Sequence, residues 1–242
     1  MTGWLDTPAQ SGSIQPARPL IQPGHHGLGE RLKVGELIAT QRRLADQVIR
    51  SDQVPTRIRT IAGVDAAFPR GRGHIRAAAV LMTYPEMAVL GQSTVEQAVE
   101  LPYIPGLLSF RELPAIKAAL EQLPPPDVVL CDGQGLAHPR RFGIACHLGV
   151  ETGLATVGVG KSRLCGDHQE PDIQRGAWAS LRDGEEEIGR VVRTRRGVKP
   201  VFVSLGHRIS LERAMELVLA SATRYRLPEP IRRADRLAGG KN

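Results

Sequence analysis

The segment Val128-Val129-Leu130-Cys131-Asp132-Gly133 decides the fold class. Four apolar residues followed by an acid and a glycine are typical of a strand that is buried on both faces and ends at Asp132. A helical stretch at residues 140–152 and a second apolar run at residues 155–160 come next. Strands that alternate with helices predict parallel pairing. Because ligands bind at the carboxyl ends of strands in such sheets, Asp132 is the first candidate site residue.

Three further strand-like runs precede this unit, at residues 61–68, 75–84 and 87–98. They follow one another without an intervening helix, which predicts an antiparallel meander. Residues 107–123 are helical in pattern with Pro114 inside, so a helix either begins at that proline or bends there. The sequence therefore predicts one mixed α/β sheet, in which three antiparallel strands are followed by parallel strands, with helices on both faces.

The remaining pattern predicts helices at residues 30–50 and 211–224, the second N-capped by Ser210. Residues 187–192 and 200–204 are expected to form a β pair around a basic turn. The basic side chains of this region suit either contact with a phosphate backbone or a solvated hairpin tip. They are Arg190, Arg193, Arg195, Arg196 and Lys199.

The 242-residue chain is basic, with 32 Lys and Arg residues against 25 Asp and Glu residues and a formal charge of +7. This charge excludes an acidic solvating tail, disfavours an enzyme for neutral small metabolites and favours a polyanionic partner. A second explanation stays open, because 27 of the basic residues are Arg and only 5 are Lys, as in proteins encoded by GC-rich genomes.

Cysteine usage and hydropathy indicate the compartment. Cys131, Cys146 and Cys165 cannot all pair and show no CxxC spacing, so we expect a reduced, cytoplasmic protein. No apolar run reaches about 18 residues, which predicts no membrane span. Residues 1–27 are rich in Pro, Gly, Ser and Gln and lack both periodicity and the apolar segment of a signal peptide, which predicts a flexible N-terminal arm. Residues 28–242 are then expected to form one domain.

Four acids lie in unusual sequence contexts. Asp65 interrupts an apolar strand and Asp132 ends one, whereas Glu112 lies at the head of a helix and Asp235 follows the last predicted helix. Carboxylates that converge from separate elements form a hard-oxygen site for Mg²⁺ or Mn²⁺, and such a site supports in-line phosphoryl displacement. Each acid also has a structural explanation, namely an arginine partner, a turn, a helix-dipole contact or plain surface exposure.

Two residues outside the acids are candidates for nucleic-acid contact. The segment Pro102-Tyr103-Ile104-Pro105-Gly106 holds one aromatic residue on a proline-stiffened turn. There Tyr103 would either stack against a base or pack over its own loop. Lys161 directly follows a buried strand, where it would contact a phosphate or be an ordinary surface lysine.

The glycine-rich segment at residues 132–141 is a candidate ligand loop. Gly133 and Gly135 would let a ligand approach the backbone closely. His138 suits acid–base chemistry, a phosphate contact or a helix cap. The glycine spacing matches neither a Walker loop nor a dinucleotide-binding turn.

These motifs together resemble the endonuclease V family of deoxyinosine-specific DNA repair nucleases. The resemblance runs in order from about residue 30 to residue 238. Its two longest strings, PYIPGLLSFRE at residues 102–112 and DGQGLAHPRR at residues 132–141, are highly specific. Shorter matching strings are IAGVD at residues 61–65, GKS at residues 160–162 and YRLPEP at residues 225–230.

The resemblance implies an RNase H-like fold and Mg²⁺-dependent hydrolysis of the second phosphodiester bond 3′ to deoxyinosine, which leaves 3′-hydroxyl and 5′-phosphate ends. By position, Asp65, Glu112 and Asp132 resemble the family's metal-site acids, and Lys161 resembles its active-site lysine. Asp235 departs from the pattern, because bacterial relatives commonly carry His there. Since eukaryotic relatives can carry Asp, this residue stays a candidate catalytic acid.

The resemblance also implies a substrate-binding set. Tyr103 resembles the wedge that opens the duplex beside the lesion, and His138 resembles part of the lesion-side loop. Gly133 and Gly135 lie in the loop that resembles the pocket for the flipped hypoxanthine. The implied partner is DNA that contains deoxyinosine, with inosine-containing RNA as an alternative, and the protein is expected to act as a monomer.

Two other functions stay open at this point. The first is a different nuclease on the same fold, which would act on inosine-containing RNA or on branched structures. The second is a non-catalytic nucleic-acid-binding or accessory protein, which predicts metal-independent binding without cleavage.

Overall fold

The computed structural model describes residues 28–69, 73–99 and 101–240. The predicted flexible arm at residues 1–27 lies outside the described residues. In the described part of the chain, no helix combines the length and the apolar character that crossing a bilayer requires.

The described residues form one mixed sheet of eight strands. The strands are β1 (Thr60–Ala67), β2 (His74–Thr83), β3 (Val89–Ala98), β4 (Val128–Asp132), β5 (Thr156–Gly160), β6 (Trp178–Asp183), β7 (Glu186–Val192) and β8 (Val201–His207). Their spatial order is β3-β2-β1-β4-β5-β8-β7-β6. This order places β1, β4 and β5 in the centre, where both faces of each strand can be covered.

The predicted strand pairing is confirmed. β1, β2 and β3 are antiparallel, β4 lies parallel to β1, and β5 lies parallel to β4. Beyond β5 the sheet continues through the antiparallel strands β8, β7 and β6. Strand β6 was not predicted, because this edge strand has only one fully buried residue and therefore lacks an apolar run.

Helices cover both faces of the sheet, as predicted. They are α1 (Leu28–Ala45), α2 (Leu108–Leu120), α3 (Ile144–Thr152), α4 (Leu211–Ser221) and α5 (Glu229–Ala238). Successive residues of a strand point to opposite faces, so Ala62 packs in the apolar cluster with α2 and α3, whereas Ile61 packs in the cluster with α4 and α5.

Three helices are shorter than predicted, because α1 ends at Ala45 and not at residue 50, α4 ends at Ser221 and not at residue 224, and α3 begins later. The structure also decides between the two alternatives at Pro114. α2 begins at Leu108 and runs through Pro114, so the helix does not begin at the proline. α3 begins at Ile144 and not at residue 140, because the preceding loop is hydrogen-bonded to β8. In that loop the Leu136 amide donates to the Leu205 carbonyl over 2.9 Å.

The prediction that Asp235 follows the last helix is wrong, because this residue lies within α5. The helix has a proline at its N-terminal end, where the missing amide hydrogen costs no helical bond. Its buried residues Ile231, Ala234 and Ala238 form a narrow stripe among charged side chains. The short length and the high charge of the segment concealed this stripe in the sequence.

Gly63 allows α5 to lie directly against β1. A Cβ atom at this position would collide with the backbone of Pro230 and with the amide nitrogen of Ile231. Gly63 and Asp65 are two residues apart on β1, so they face the same side of the sheet, towards α5. The close approach therefore sets the distance between α5 and the strand that carries Asp65.

Candidate active site

Three carboxylates converge at the centre of the sheet. Asp65 lies in β1, Asp132 ends β4, and Asp235 projects from α5. The parallel register pairs Val64 with Cys131, so the next residues, Asp65 and Asp132, lie side by side. One oxygen from each of the three carboxylates lies within 4.8 Å of the other two. We call Asp65, Asp132 and Asp235 the carboxylate triad.

Lys161 provides the positive charge at this site. Its Nζ lies 2.5 Å from Asp132 Oδ2 and 2.7 Å from Asp235 Oδ1. The lysine comes directly after β5, at the same edge of the sheet as Asp132. Its backbone is held in turn by Arg226, whose Nη2 donates to the Lys161 carbonyl over 2.6 Å.

Burial and mutual repulsion dominate the electrostatics of the triad. Burial, followed by the nearby Asp132 carboxylate, raises the pKa of Asp65 from 3.8 to about 7. Burial also raises the pKa of Asp132, although Lys161 opposes this shift. Burial lowers the pKa of Lys161, but its hydrogen bonds to Asp132 and Asp235 outweigh that effect and raise it above its usual range. The site therefore favours additional positive charge.

The triad fits a divalent metal ion. Carboxylate oxygens are the hard ligands that Mg²⁺ and Mn²⁺ prefer, and Mg²⁺ needs few protein ligands because it keeps several waters. When every group is ionised, one ammonium faces three carboxylates, so negative charge remains uncompensated. A divalent cation would balance that charge, which makes the arrangement a candidate metal site.

Glu112 faces the triad from α2 without joining it. Among the described residues, the three acids whose oxygens lie within 4.8 Å of one another are those of the triad, and Glu112 is not one of them. The metal-ligand role that the resemblance implies for Glu112 stays a prediction. Burial, and then the charges of Asp65 and Asp132, raise the pKa of Glu112 from 4.5 to about 8. Glu112 is thus close enough to interact with the triad and remains a candidate catalytic acid.

A cavity lies next to the triad, between the start of α2, the loop at residues 133–143 and the segment after β5. We call it the loop cavity. Asp132 and Lys161 line both the loop cavity and the space beside the carboxylate triad. Most of the other site residues predicted from the sequence also line the loop cavity, namely Tyr103, Glu112, Gly133 and His138.

Tyr103 and His138 occupy opposite environments in the wall of this cavity. Tyr103 is 64% exposed at the rim. His138 is buried, and its Nδ1 accepts a hydrogen bond from the Arg140 amide over 3.1 Å. Burial, followed by the charge of Arg140, lowers the pKa of His138 to about 4. The imidazole is therefore neutral near pH 7 and does not act as a cationic phosphate contact.

Gly133 and Gly135 are required to be glycine for different structural reasons. Gly133 adopts φ +150°, and a Cβ atom there would lie 2.7 Å from Ile144. Gly135 is buried, and a Cβ atom there would strike the Leu205 carbonyl of β8. Its amide donates to Ser204 Oγ over 2.8 Å. Packing against β8 therefore explains Gly135, whereas Gly133 lines the loop cavity.

Gln134 and Arg226 were not among the site residues predicted from the sequence. Gln134 lines the loop cavity, where its Nε2 donates to the Ser162 carbonyl over 2.9 Å. Its buried Oε1 has no hydrogen-bond partner among the described residues. Both residues lie inside strings that resemble the family, but only their tertiary contacts reveal a role.

The basic cluster at β7 and its turn is only partly available for phosphate contact. Arg190 and Arg193 are 7% and 6% exposed, respectively. Arg190 Nη2 lies 2.5 Å from Glu212, and Arg193 Nη2 lies 2.7 Å from Glu170. Both guanidinium groups therefore have internal partners. The other members of the cluster, Arg195, Arg196 and Lys199, are exposed.

The raised pKa values predict that the metal-free protein loses stability as pH rises. An acid whose pKa is higher in the folded state binds its proton more tightly there, so deprotonation destabilises the fold. The pKa of Asp65 rises from 3.8 to about 7 and that of Glu112 from 4.5 to about 8, so the loss should span this range. Buried His138 and His147, whose pKa values burial lowers to about 4, act in the opposite sense up to about pH 6.5. Thermal unfolding in a chelator should therefore show Tm falling by several degrees between about pH 6.5 and pH 8.

Two comparisons test the origin of this trend. Asp65→Asn removes one of the raised titrations and should flatten the dependence of Tm on pH. Mg²⁺ should raise Tm more at pH 8 than at pH 5, because the triad must be ionised to bind it. A Tm that rises between about pH 6.5 and pH 8 in the chelator would contradict the assignment.

Comparison with known proteins identifies the family. A family model described as Endonuclease V matches residues 42–236. Endonuclease V of Alkalilimnicola ehrlichii is 54% identical over 202 residues, which cover 83% of this chain and 89% of that protein. The crystal structure of Endonuclease V from Streptomyces avermitilis matches with a TM-score of 0.80 at 45% identity, and covers 85% of this chain and 91% of that one.

A solved complex extends the comparison. Ciona intestinalis Endonuclease V in complex with a 24mer DNA containing an inosine followed by a ribo-adenosine matches with a TM-score of 0.76 at 29% identity, over 86% of this chain and 97% of that one. The mixed sheet is accordingly of the RNase H-like type that the resemblance implied. The chain therefore belongs to the endonuclease V family, which sets aside a non-catalytic role, and is a nuclease that hydrolyses phosphodiester bonds.

Proposed function

We propose that this chain is a DNA repair endonuclease that recognises deoxyinosine and hydrolyses the second phosphodiester bond 3′ to it. The products would carry 3′-hydroxyl and 5′-phosphate ends, and the cofactor would be Mg²⁺, with Mn²⁺ as a substitute. The observation that carries the proposal is that the carboxylate triad and the loop cavity share Asp132 and Lys161 as a common wall. The Ciona complex with inosine-containing DNA supports it.

The acids and the lysine of the site would have different roles in the proposed reaction. When bound, a divalent cation supplies charge neutralisation at the phosphate and activation of the attacking water. Asp65, Asp132 and Asp235 would hold that cation through their converging oxygens. Lys161 is 41% exposed at its side chain, so its ammonium can reach a phosphate oxygen and stabilise the charge that develops there.

The loop cavity would hold the base. Hypoxanthine pairs weakly, so extruding it from the duplex costs less than extruding a normal base. Tyr103 at the rim would fill the resulting gap by stacking. The neutral His138 and the backbone at Gly133 would supply polar contacts to the base inside the cavity.

The experiment that tests this function uses an end-labelled duplex with one deoxyinosine. Incubation with Mg²⁺ should give a single cut at the second phosphodiester bond 3′ to the lesion, and a chelator should abolish it. A matched duplex with deoxyadenosine is the control. A cut at the lesion itself, an abasic-site product or equal cleavage of the control duplex would contradict the proposal.

A parallel substrate separates DNA from RNA as the preferred partner. The Ciona complex carries a ribo-adenosine after the inosine, so that relative accommodates a ribonucleotide next to the lesion. Cleavage rates on an inosine-containing single-stranded RNA and on the deoxyinosine duplex should be compared. Faster cleavage of the RNA would favour an inosine-specific ribonuclease instead.

The charge of the chain predicts a strong dependence of affinity on salt. The chain carries a formal charge of +7. If this charge contacts phosphates, affinity for DNA in a chelator should fall by more than about tenfold between roughly 50 and 200 mM salt, because counterion release drives binding. Fluorescence anisotropy with a labelled duplex measures this. A flat response would attribute the charge to Arg-rich codon usage.

We also propose that the protein acts as a monomer. The carboxylate triad and the loop cavity are built from residues of one chain. Sedimentation equilibrium in the absence and presence of the duplex should therefore give one protein molecule per particle. A stable dimer on the DNA would overturn this part of the proposal.

A further inference from the structure

Gln41 is a polar side chain in α1 that is entirely buried. Its Nε2 donates to the Phe142 carbonyl over 2.8 Å and to the Gly106 carbonyl over 3.1 Å. Its Oε1 accepts a hydrogen bond from Arg140 Nε over 2.5 Å. The amide thus uses both of its ends, and it joins α1 to two loops that are far apart in the sequence.

The Gly106 carbonyl is the meeting point of this network. Besides Gln41, it accepts a hydrogen bond from Arg140 Nη2 over 2.6 Å. The His138 ring is also hydrogen-bonded to the Gly106 backbone. Gly106 itself has φ +79°, and a Cβ atom there would lie 2.5 Å from Arg140 Nη2. Only glycine therefore combines this backbone conformation with this contact.

Gly106 is the last residue of the turn that presents Tyr103. We call residues 102–106 the tyrosine turn. Tyr103 is 64% exposed, so its own ring is held by few internal contacts. Pro102 and Pro105 restrict the backbone on either side of it. A stiff turn whose end is fixed by three polar groups keeps its exposed ring in place, whereas the same turn without that anchor can pivot.

Rigidity matters if Tyr103 opens a base stack. Unstacking costs a few kcal/mol per step, and a ring that enters the gap recovers this energy only when it is held in place. We propose that Gln41, together with Arg140, is a positioning residue that anchors the tyrosine turn against the duplex. The cleavage part of this inference rests on the proposed function, whereas the anchoring part does not.

The first test measures the turn without any substrate. Gln41→Met keeps the length of the side chain but removes all three hydrogen bonds. Hydrogen exchange of the Leu107 amide, which donates to the Ile104 carbonyl over 3.0 Å, should become faster by about tenfold, while exchange in α2 beyond Pro114 stays unchanged. Unchanged exchange at the turn would overturn the inference, whatever the substrate of the enzyme is. If the Met variant does not fold, Gln41→Glu, which can still accept from Arg140, replaces it.

The second test compares duplex and single-stranded DNA that contain one deoxyinosine. A single strand has no stack to open, so anchoring the tyrosine turn should matter mainly on the duplex. For Gln41→Met we expect kcat/KM to fall by about tenfold on the duplex and by less than about threefold on the single strand, since base stacking contributes on the order of 1–3 kcal/mol. Equal losses on both substrates would indicate a merely structural role.

Leu44 provides a matched control on the same helix. It is buried against Phe142 and Cys146 without any polar link to the tyrosine turn. Leu44→Ala should lower Tm as a cavity-forming substitution does, but it should leave the ratio of duplex to single-strand cleavage unchanged. A selective loss on the duplex in this variant would show that any weakening of α1 has the same effect and would overturn the assignment to Gln41.

A double variant decides whether Gln41 acts through Tyr103. If it does, the duplex defects of Gln41→Met and Tyr103→Ala should not add, because the second substitution removes the ring that the first one positions. Additive defects would overturn the proposal. If the wild-type protein does not cut the deoxyinosine duplex, the proposed function fails, and the exchange experiment still decides whether Gln41 anchors the turn.

Discussion

Replacing Asp132 by Asn is expected to reduce the cleavage rate by about a thousandfold or more, without a comparable loss of DNA binding. Asp132 is the residue that joins the two halves of the site. Its carboxylate belongs to the triad, contacts Lys161 over 2.5 Å and lines the loop cavity. The amide keeps the shape but supplies a weaker ligand, so metal binding and charge balance are both lost. The same reasoning applies to Asp65, and either residue replaced by Ala should give the same result.

Asp132→Asn should lower the cleavage rate without lowering either the affinity for DNA or Tm. Removing one negative charge lowers the repulsion that a DNA phosphate meets at the site, so affinity in a chelator should be unchanged or higher. Because burial raises the pKa of Asp132, its neutral replacement should also raise Tm in the absence of metal.

Asp46→Asn is a suitable control for this variant, because it makes the same change of charge at an exposed position after α1. It should leave cleavage, affinity and Tm nearly unchanged. Single-turnover kinetics, anisotropy and thermal unfolding measure the three quantities. Cleavage at the wild-type rate by Asp132→Asn would refute the assignment of the active site.

The second large effect is expected from Gly63→Ala. The added Cβ atom would meet the backbone of Pro230 and Ile231, which cannot move independently of α5. Overpacking of this kind costs about 1–3 kcal/mol and is relieved by backbone shifts. Such a shift would carry Asp235 away from Asp65, since Gly63 and Asp65 lie on the same face of β1.

The variant should therefore lose stability and metal affinity together. We expect Tm to fall by several degrees, and we expect the Mg²⁺ concentration for half-maximal cleavage to rise well beyond its wild-type value at a temperature where the protein is folded. A fall in Tm with an unchanged Mg²⁺ requirement would show that α5 absorbs the shift without displacing Asp235.

Gly35→Ala is the matched control for the same substitution. A Cβ atom at Gly35 in α1 would meet no atom within 4 Å. Replacing a glycine inside a helix by Ala removes a cost of about 0.5–1 kcal/mol, so this variant should be as stable as the wild type or slightly more stable. Its Mg²⁺ requirement should not change.

Much of the central sheet was predictable from local pattern. β4 has the bounds that its apolar run predicts, because a strand buried on both faces needs an uninterrupted apolar segment. The acids at Asp65 and Asp132 were also recognisable, since a carboxylate in or directly after such a strand is costly unless it has a function or a partner. The long family-like strings added the implied fold and reaction.

The composition of the carboxylate triad was not predictable in the same way. Asp235 lies in a charged segment whose helix α5 went unrecognised, and its place beside Asp65 depends on the contact of α5 with Gly63. Glu112, which the resemblance placed among the metal ligands, faces the triad from another helix. How close Asp235 and Glu112 lie to the two central acids depends on how α5 and α2 pack on opposite faces of the sheet.

The role of Gln41 was even harder to predict from the sequence. In the sequence it is one polar residue of an Arg-rich helix, but in the fold it is buried and links Gly106, Arg140 and Phe142. Gln41 is separated from these three partners by 65 to 101 positions along the chain. No periodic pattern encodes such a meeting.

Local sequence pattern thus determined the central strands, the two central acids and the family, because burial and backbone preference act on neighbouring residues. Packing between distant elements alone decided that Asp235 completes the triad, that Lys161 bridges two of its members and that Gln41 reaches the tyrosine turn. The physical reason is that a metal site or a buried hydrogen bond requires distances of a few ångströms between side chains, and only the register of the sheet and the seating of the helices set those distances.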